Sequence, residues 1–405
     1  MTLKLIDSPW PYFDQEEIDA VGAVMRSGKV NYWTGELTKK FEVEFAAWVG
    51  AKYAVALANG TVALDLALKS LEIGPGDEVI VTPRTFIASV SSVVNAGATP
   101  VFADVDLNTG NITAETIYKV ISSKTKAVIC VHLAGHPCDM DPILDLAKIY
   151  NLKIIEDCAQ AHGAKYKGRS VGSIGHIGAW SFCQDKIMST GGEGGMVSTN
   201  DEMLWKKMWE FKDHGKSYDA VYHNSPSRGF RWLHESFGTN LRMMEFQAAI
   251  GLIQLRKMSE WTTKRNLNAA KILEVCSQFP SLIIGSANCG YDCSNSCSRD
   301  NDCVHAYYKC YTYVDPDKLK AGWDRDRIIE ELNKLGIPCY QGSCSEVYLE
   351  KAFDSTNFRP KIRLANAKRL GETSIMFLVH PTLTKTEIDL TCEKIFAVMT
   401  DATDR

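Results

Sequence analysis

The sequence predicts an α/β protein with a mostly parallel sheet, followed by a smaller α+β domain. Through roughly the first two thirds of the 405 residues, short apolar runs alternate with helical segments, which is typical of parallel strands joined by helices. From about Trp261 this alternation gives way to a mixture of helices and strands. A chain of this length can bury a large core, and we predict two domains, at 1–260 and 261–405.

Each element is predicted from its own residue pattern. Apolar runs bounded by polar residues or glycine predict strands at 53–58, 78–82, 100–104, 127–132, 152–157, 179–183, 195–198 and 307–314. Apolar residues at helical spacing predict helices at 14–26, 37–48, 62–71, 264–279, 325–335 and 385–399. The segment 236–255 begins with a turn and continues as a long amphipathic helix, whose predicted apolar face is Leu241, Met244, Ala248, Leu252 and Leu255.

Composition excludes several classes of protein. The net charge of −4 gives no basic stripe for nucleic acid. No apolar stretch approaches the roughly 20 residues that span a bilayer, and residues 1–13 lack the pattern of a signal peptide, so we expect a cytoplasmic protein. The thirteen cysteines are an odd number, and most lie inside apolar elements, as Cys130, Cys158, Cys183 and Cys310 do. We therefore expect small buried side chains and no disulfide framework.

The stretch 152–195 has the pattern of a reactive centre. Its apolar strand ends in two carboxylates, Glu156 and Asp157, and a second strand is followed by Lys186 and a glycine-rich run. An amine can hold the aldehyde of a Schiff-base cofactor, and an acid can keep its pyridine nitrogen protonated. From the spacing alone, a helix cap and a solvated loop lysine explain the same residues, and both interpretations stay open at this point.

Three blocks resemble one known family. They are EDCAQAHGA at 156–164, GHIGAWSF at 175–182 and GGEGGMVSTND at 191–201. They resemble the DegT/DnrJ/EryC1/StrS sugar aminotransferases, which are pyridoxal-phosphate enzymes of fold type I. The similarity continues from an N-terminal PW to a late HPTLT, so it covers most of the chain. It implies a large cofactor-binding domain with a seven-stranded sheet, a smaller C-terminal domain and a homodimer.

The resemblance also implies roles for individual residues in cofactor binding. Lys186 corresponds to the lysine that binds the aldehyde, and Asp157 to the acid on the ring nitrogen. Gln160 corresponds to the residue that reaches the phenolic oxygen of the ring. Phe86 corresponds to the aromatic residue stacked on the ring, although a core phenylalanine would give the same local pattern.

Three residues are implied to hold the cofactor phosphate within one chain. Gly60 and Thr61 begin a helix, where free N–H groups and the helix dipole attract anions. Ser181 precedes Lys186 by five residues and completes the predicted set. Without the resemblance, Thr61 would be interpreted as an ordinary N-cap.

The family's dimer implies a composite site. Asn240 corresponds to a residue that crosses the interface to the phosphate of the other subunit. Arg242 is a candidate anion contact, with a surface ion pair as the alternative. We interpret His162 as a core histidine, and Gly35 lies in a region that reaches the active site in the family.

A cysteine-rich insertion at 289–303 has no counterpart in the family's usual pattern. Cys289, Cys293, Cys297 and Cys303 could ligate zinc or an iron–sulfur cluster, or form a loop of reactive thiols. Their spacing fits no standard metal template, so we predict no metal.

The predicted activity is transfer of an amino group, with L-glutamate as donor, to a keto sugar for lipopolysaccharide or another surface polysaccharide. The segments 209–221, 229–240 and 342–353 resemble the branch that aminates 3,8-dideoxy-8-oxo-manno-octulosonate. The carboxylate of that sugar would require a cation, for which Lys216, His223, Arg228 and Arg231 are candidates.

Other activities stay open. The acceptor could instead be a nucleotide-linked 3-keto or 4-keto deoxysugar. A sugar dehydratase of the same family has histidine in place of the lysine, so Lys186 argues against that activity. A non-catalytic protein with this fold would be expected to lose the lysine or the ring acid, and both are present.

Overall fold

The computed structural model describes residues 6–223, 232–285 and 303–404. The N-terminal part contains nine strands: β1 (Tyr53–Leu57), β2 (Glu78–Val81), β3 (Thr99–Phe102), β4 (Thr125–Val131), β5 (Lys153–Asp157), β6 (Lys165–Tyr166), β7 (Arg169–Ser170), β8 (Ile177–Ser181) and β9 (Gly195–Thr199). Seven of them form one sheet in the order β1-β9-β8-β5-β4-β2-β3, and β6 and β7 form a small hairpin.

The sheet is mostly parallel, as the sequence predicts. Strands β3, β2, β4, β5 and β8 run in the same direction, and β9 is antiparallel to both β8 and β1. Strand β8 starts and ends two residues before the predicted strand 179–183. Because the carboxyl ends of parallel strands meet at one edge, the last residues of β5 and β8, Asp157 and Ser181, lie on neighbouring strands at that edge.

Helices cover both faces of this sheet. They are α1 (Gln15–Ser27), α2 (Leu37–Val49), α3 (Gly60–Ser70), α4 (Ala88–Asn95), α5 (Ala114–Tyr118), α6 (Met140–Tyr150), α7 (Glu202–Lys212) and α8 (Tyr218–Tyr222). In β1, Val55 and Leu57 belong to one apolar cluster, whereas Ala54 and Ala56 belong to another. Since alternate side chains point to opposite faces of a strand, both faces of the sheet are buried.

A single 32-residue helix, α9 (Glu245–Cys276), replaces the two helices predicted for 236–255 and 264–279. The proposed domain boundary at 260 therefore falls inside a helix. Its first half packs in the core beside the large sheet through Ala248, Leu252 and Leu255, and its second half packs in the C-terminal core. The apolar pattern changes because the packing partner changes. Leu241 and Met244 precede the helix, and Met244 is half exposed.

The C-terminal part combines helices with an antiparallel sheet. Its elements are β10 (Leu282–Ile284), β11 (Cys310–Val314), α10 (Arg325–Lys334), β12 (Cys339–Tyr340), α11 (Ala365–Thr373), β13 (Ser374–Phe377) and α12 (Lys385–Ala402). The strand order is β10-β11-β13-β12. Strand β11 begins three residues after the predicted start at 307, because Tyr307 has a left-handed backbone with φ of 45°.

Two expectations from composition concern the cysteines and membrane-spanning helices. Cys130, Cys158 and Cys310 are buried, and burial raises the pKa of each thiol. Cys289, Cys293 and Cys297 lie outside the described residues. Among the helices that the structure describes, none combines the length and hydropathy that crossing a bilayer requires.

Candidate active site

The two predicted catalytic side chains, Lys186 and Asp157, lie at the same edge of the large sheet. Asp157 ends β5 and is paired with Ala179 on β8. Lys186 follows β8 in a turn, in which its N–H donates to the carbonyl of Cys183 at 3.1 Å. The backbone carbonyl of Lys186 accepts a hydrogen bond from the Trp10 indole at 3.0 Å. The fold therefore places an amine and an acid at the carboxyl edge of the sheet.

Asp157 is a buried carboxylate held by specific donors. Its Oδ2 accepts from the Ser89 hydroxyl at 2.8 Å, and its Oδ1 accepts from the Ala159 N–H at 3.1 Å. Burial raises the pKa of Asp157, while Ser89, Ala159 and the nearby Lys186 ammonium oppose the rise. Ser89 in turn contacts the Thr85 hydroxyl at 2.8 Å. A cationic N–H placed against this carboxylate would favour the ionised form further.

The neighbouring carboxylate, Glu156, has different hydrogen-bond partners. It is fully buried and accepts hydrogen bonds from His132 at 3.0 Å and from the N–H groups of Gly172 and Ile174, both at 2.8 Å. Burial raises the pKa of Glu156, but these donors outweigh it and the pKa is lowered. Although His132, Glu156 and Cys158 could together surround a metal ion, the donors already bound to Glu156 give this cluster a structural role.

Gly60 and Ser181 form a narrow cradle. A Cβ on Gly60 would lie 2.5 Å from the Cβ of Ser181, so the first turn of α3 touches the end of β8. Asn59, and not Thr61, is the N-cap, since its side chain accepts from the Val62 N–H at 3.0 Å. Thr61 is the second residue of α3 and is exposed. The three predicted phosphate residues thus meet at a helix N-terminus, which favours an anion.

Replacing Gly60 by Ala should weaken binding of the predicted cofactor by about 5- to 150-fold, because overpacking of a tight contact typically costs about 1–3 kcal/mol. Titration of the apoprotein with pyridoxal phosphate, followed by tryptophan fluorescence, measures the affinity. Gly74→Ala is the matched control, since the nearest atom to its added Cβ would be 3.8 Å away. Equal affinities in the two variants would contradict the predicted role of Gly60 in phosphate binding.

Phe86 and Gln160 flank the same edge. Phe86 precedes α4 and is 68% exposed, so its interpretation as a core residue is wrong. Gln160 is buried, and its Oε1 accepts from the Ala134 N–H at 2.8 Å. This contact directs the side-chain NH₂ group, a hydrogen-bond donor, away from Ala134.

Asn240 and Arg242 lie in a segment beside the predicted phosphate cradle. The carbonyl of Leu241 accepts from the Ala58 N–H at 2.9 Å, one residue before Asn59. Asn240 is exposed, and its Oδ1 accepts from the Arg242 N–H at 3.3 Å. The Arg242 guanidinium donates to Asp213 at 2.8 Å, which agrees with the ion-pair alternative.

Two other residues from the sequence analysis, His162 and Gly35, make packing contacts. His162 packs against the rings of Trp180 and Phe182, and burial lowers its pKa to about 3, as expected for a core histidine. A Cβ on Gly35 would lie 2.1 Å from Glu245, whose carboxylate accepts from the Leu37 and Thr38 N–H groups at the start of α2. Gly35 therefore permits this close contact.

The two described candidates for the sugar carboxylate already have acidic partners. The Lys216 ammonium lies 3.2 Å from Asp213, and the His223 ring lies 2.9 Å from Asp219. Arg228 and Arg231 lie outside the described residues.

Several site residues cannot be identified from the sequence pattern. The Lys186 ammonium lies 5.1 Å from the centroid of the Tyr308 ring and 3.7 Å from Asp185, and the Tyr308 hydroxyl donates to Asp185. Trp10 lies near the N-terminus, and Tyr308 lies in the C-terminal part of the chain. Only the adjacency of Asp185 to Lys186 could have been noticed in the sequence.

These residues fit pyridoxal phosphate. Gly60 leaves no room for a Cβ beside Ser181 at a helix N-terminus, which agrees with a phosphate site, and Asp157 is a buried carboxylate of the kind that a protonated ring nitrogen requires. The large mostly parallel sheet and the lysine after β8 define a fold-type-I pyridoxal-phosphate enzyme of the aminotransferase class.

The chain belongs to the DegT/DnrJ/EryC1/StrS aminotransferase family, whose sequence model matches residues 11–396. An X-ray structure of the aminotransferase from Psychrobacter cryohalolentis is 61% identical, with a TM-score of 0.93, and the match covers 97% of this chain and 99% of that chain. The spore coat polysaccharide biosynthesis protein SpsC of Bacillus subtilis is 39% identical, over 80% of this chain and 78% of that protein. GDP-perosamine synthase of Escherichia coli O157:H7 is 46% identical, over 57% of this chain and 60% of that protein.

These similarities confirm the predicted family, fold and cofactor. They also confirm the predicted activity, that of a sugar aminotransferase dependent on pyridoxal phosphate.

Proposed function

We propose that the enzyme aminates 3,8-dideoxy-8-oxo-manno-octulosonate for lipopolysaccharide, with L-glutamate as donor, acting in the cytoplasm as a homodimer. The choice of acceptor rests on the positions of the described residues in segments 209–221, 229–240 and 342–353, which resemble the octulosonate branch of the family. The Thr239 N–H donates to the carbonyl of Phe211 in segment 209–221. The carbonyl of Leu241, the next residue after segment 229–240, accepts from the Ala58 N–H beside the predicted phosphate cradle. The Val347 N–H donates to the carbonyl of Pro83 at 2.9 Å, three residues before Phe86. Segment 342–353 therefore adjoins the loop that leads to Phe86, and segment 209–221 is linked to the predicted phosphate cradle through residues 239–241.

The chain's residues supply binding and proton transfer to this reaction. Pyridoxal phosphate, when bound, acts as the electron sink for the bonds at the reacting carbon. In this proposal Gly60, Thr61 and Ser181 hold its phosphate, and Asp157 keeps a proton on its ring nitrogen. The Lys186 amine would hold the aldehyde and, once released by the donor's amine, would take up the proton of the donor's α-carbon.

Lys186→Ala should fold but lose covalent attachment of the cofactor, because no amine remains to bind the aldehyde. Borohydride reduction followed by peptide mass spectrometry is the measurement, and the wild-type label should lie on Lys186. Lys165→Ala, which removes an exposed lysine, is the control and should label normally. Labelling of a different lysine in the wild-type protein would contradict the assignment.

The acceptor is tested with the purified pyridoxamine form of the enzyme. Keto sugars are added one at a time, and return of the aldehyde absorbance reports transfer of the amino group. We expect the fastest return with 3,8-dideoxy-8-oxo-manno-octulosonate. GDP-perosamine synthase is among the similar proteins, so nucleotide-linked keto deoxysugars form the second arm. Faster return with one of these would replace the proposed acceptor.

A further inference from the structure

Lys309 is a partly buried cation beside the predicted active-site lysine. Its ammonium lies 4.9 Å from the centroid of the Tyr308 ring, and the Lys186 ammonium lies 5.1 Å from the same centroid. The two amines are therefore at most about 10 Å apart. Across the described ranges of the chain, Lys309 forms no ion pair. Burial lowers the pKa of Lys309 to about 8, and the charges of Arg265 and Lys186 add to this effect.

Arg265 is a second positive charge near Lys309. It is 1% exposed on α9, and its Nη1 donates to the carbonyls of Tyr307 at 3.2 Å and Tyr308 at 3.4 Å. These contacts hold the backbone that immediately precedes Lys309. The guanidinium also lies 4.8 Å from the ring centroid of Trp10, whose indole donates to the carbonyl of Lys186.

The acids near this group do not neutralise it. Asp185 already accepts from the Tyr308 hydroxyl and lies 3.7 Å from the Lys186 ammonium. Burial raises the pKa of Asp185, but Lys186, Tyr308 and Lys309 hold it below its usual range, so the carboxylate is ionised. His380, stacked on Trp10, has its pKa lowered to about 3 by burial and by the charges of Arg265 and Lys309. The local excess of charge is therefore positive.

A partly buried, unpaired cation is unfavourable unless an anion normally meets it. The cofactor phosphate has its own predicted cradle on α3 and β8, whereas Lys309 and Arg265 belong to the C-terminal part of the chain. An α-amino acid donor such as the proposed L-glutamate carries a carboxylate directly on its reacting α-carbon, and in the proposed mechanism that carbon must come close to Lys186.

We propose that Lys309 binds a substrate carboxylate beside Lys186, and that Arg265 positions Lys309 and adds positive potential. This inference rests on the proposed function, because it assigns part of the same site to substrate. The carboxylate belongs either to the amino donor or to an acidic sugar acceptor, and the two sources can be tested separately.

Isothermal titration of the holoenzyme with two unreactive probes tests the proposal. Glutarate represents an acidic donor without its amine, and 3-deoxy-manno-octulosonate represents the acceptor without its 8-oxo group. Lys309→Met should lower the affinity for one probe by about 10- to 100-fold, as expected for loss of a charge-assisted hydrogen bond. The affected probe identifies the source of the carboxylate.

Two variants control the result. Lys309→Arg should restore most of the affinity because it restores the charge, and Lys394→Met removes a partly buried lysine on α12 without effect on either probe. If the methionine variant does not fold, Lys309→Gln removes the same charge and keeps a polar side chain. The Met or Gln variant should bind pyridoxal phosphate as tightly as the wild-type protein does.

Unchanged affinity for both probes, or no binding of either probe to the wild-type holoenzyme, would overturn the proposal. A matching loss of pyridoxal phosphate affinity would also overturn it, because Lys309 would then serve the cofactor phosphate. A different acceptor in the keto-sugar screen would refute the proposed acceptor alone, since the glutarate arm depends only on the donor.

Discussion

Replacing Asp157 by Ala should lower kcat by roughly 10²–10³-fold or more, with little change in KM. The carboxylate is buried at the end of β5, where its charge acts in an environment of low polarity. In the proposed mechanism it keeps the cofactor ring nitrogen protonated, and a neutral ring is a weak electron sink. Single-turnover formation of the pyridoxamine form from L-glutamate measures this step without product release.

Asp157→Asn tests whether the reaction requires the charge of this side chain or only its shape. The amide keeps the size of the side chain and an oxygen for the Ser89 hydroxyl, but it loses the negative charge. We expect a loss close to that of Asp157→Ala. Asp145→Ala is a control because Asp145 is an exposed acid on α6 paired with Lys148, and its loss should leave kcat unchanged. Near-normal turnover in Asp157→Ala would contradict the role of this acid.

Local patterns were sufficient to predict the large sheet. An apolar run such as 152–157 identifies a strand because its own residues favour a doubly buried position. The helix α9 was divided wrongly for a related reason. Its apolar residues change direction near residue 260, where the helix leaves one core and enters another, although the backbone remains helical. Sequence periodicity reports the packing partner, and it does not report whether the helix continues.

The site was predicted in part. Asp157 and Ser181 lie at the same edge of the sheet because they end neighbouring parallel strands. The close approach of Gly60 to Ser181 agrees with the roles that the resemblance assigns. Trp10 and Lys309 could not be predicted, because they reach Lys186 from segments more than 100 residues away. Their positions depend on packing that no local pattern encodes.

The position of Asn240 raises the question of whether it acts in its own active site or in that of the partner subunit. Its segment is hydrogen-bonded to Ala58 of the same chain, next to the predicted phosphate cradle, so action within one chain is a real alternative. Its side chain is exposed, however, as a residue that reaches a partner would be. The resemblance favours the partner's phosphate site. A two-fold dimer would create this contact twice, once in each active site.

Mixing inactive Lys186→Ala chains with inactive Asn240→Asp chains should restore roughly a quarter of the wild-type activity. The Asn240→Asp carboxylate repels the phosphate, and the Lys186→Ala chain lacks the amine. If Asn240 crosses to the partner, one site of each heterodimer carries both lesions and the other carries neither. Random exchange makes half the dimers heterodimers, with one good site each. Native mass spectrometry of tagged chains verifies exchange, and verified heterodimers without activity would show that Asn240 acts within its own chain.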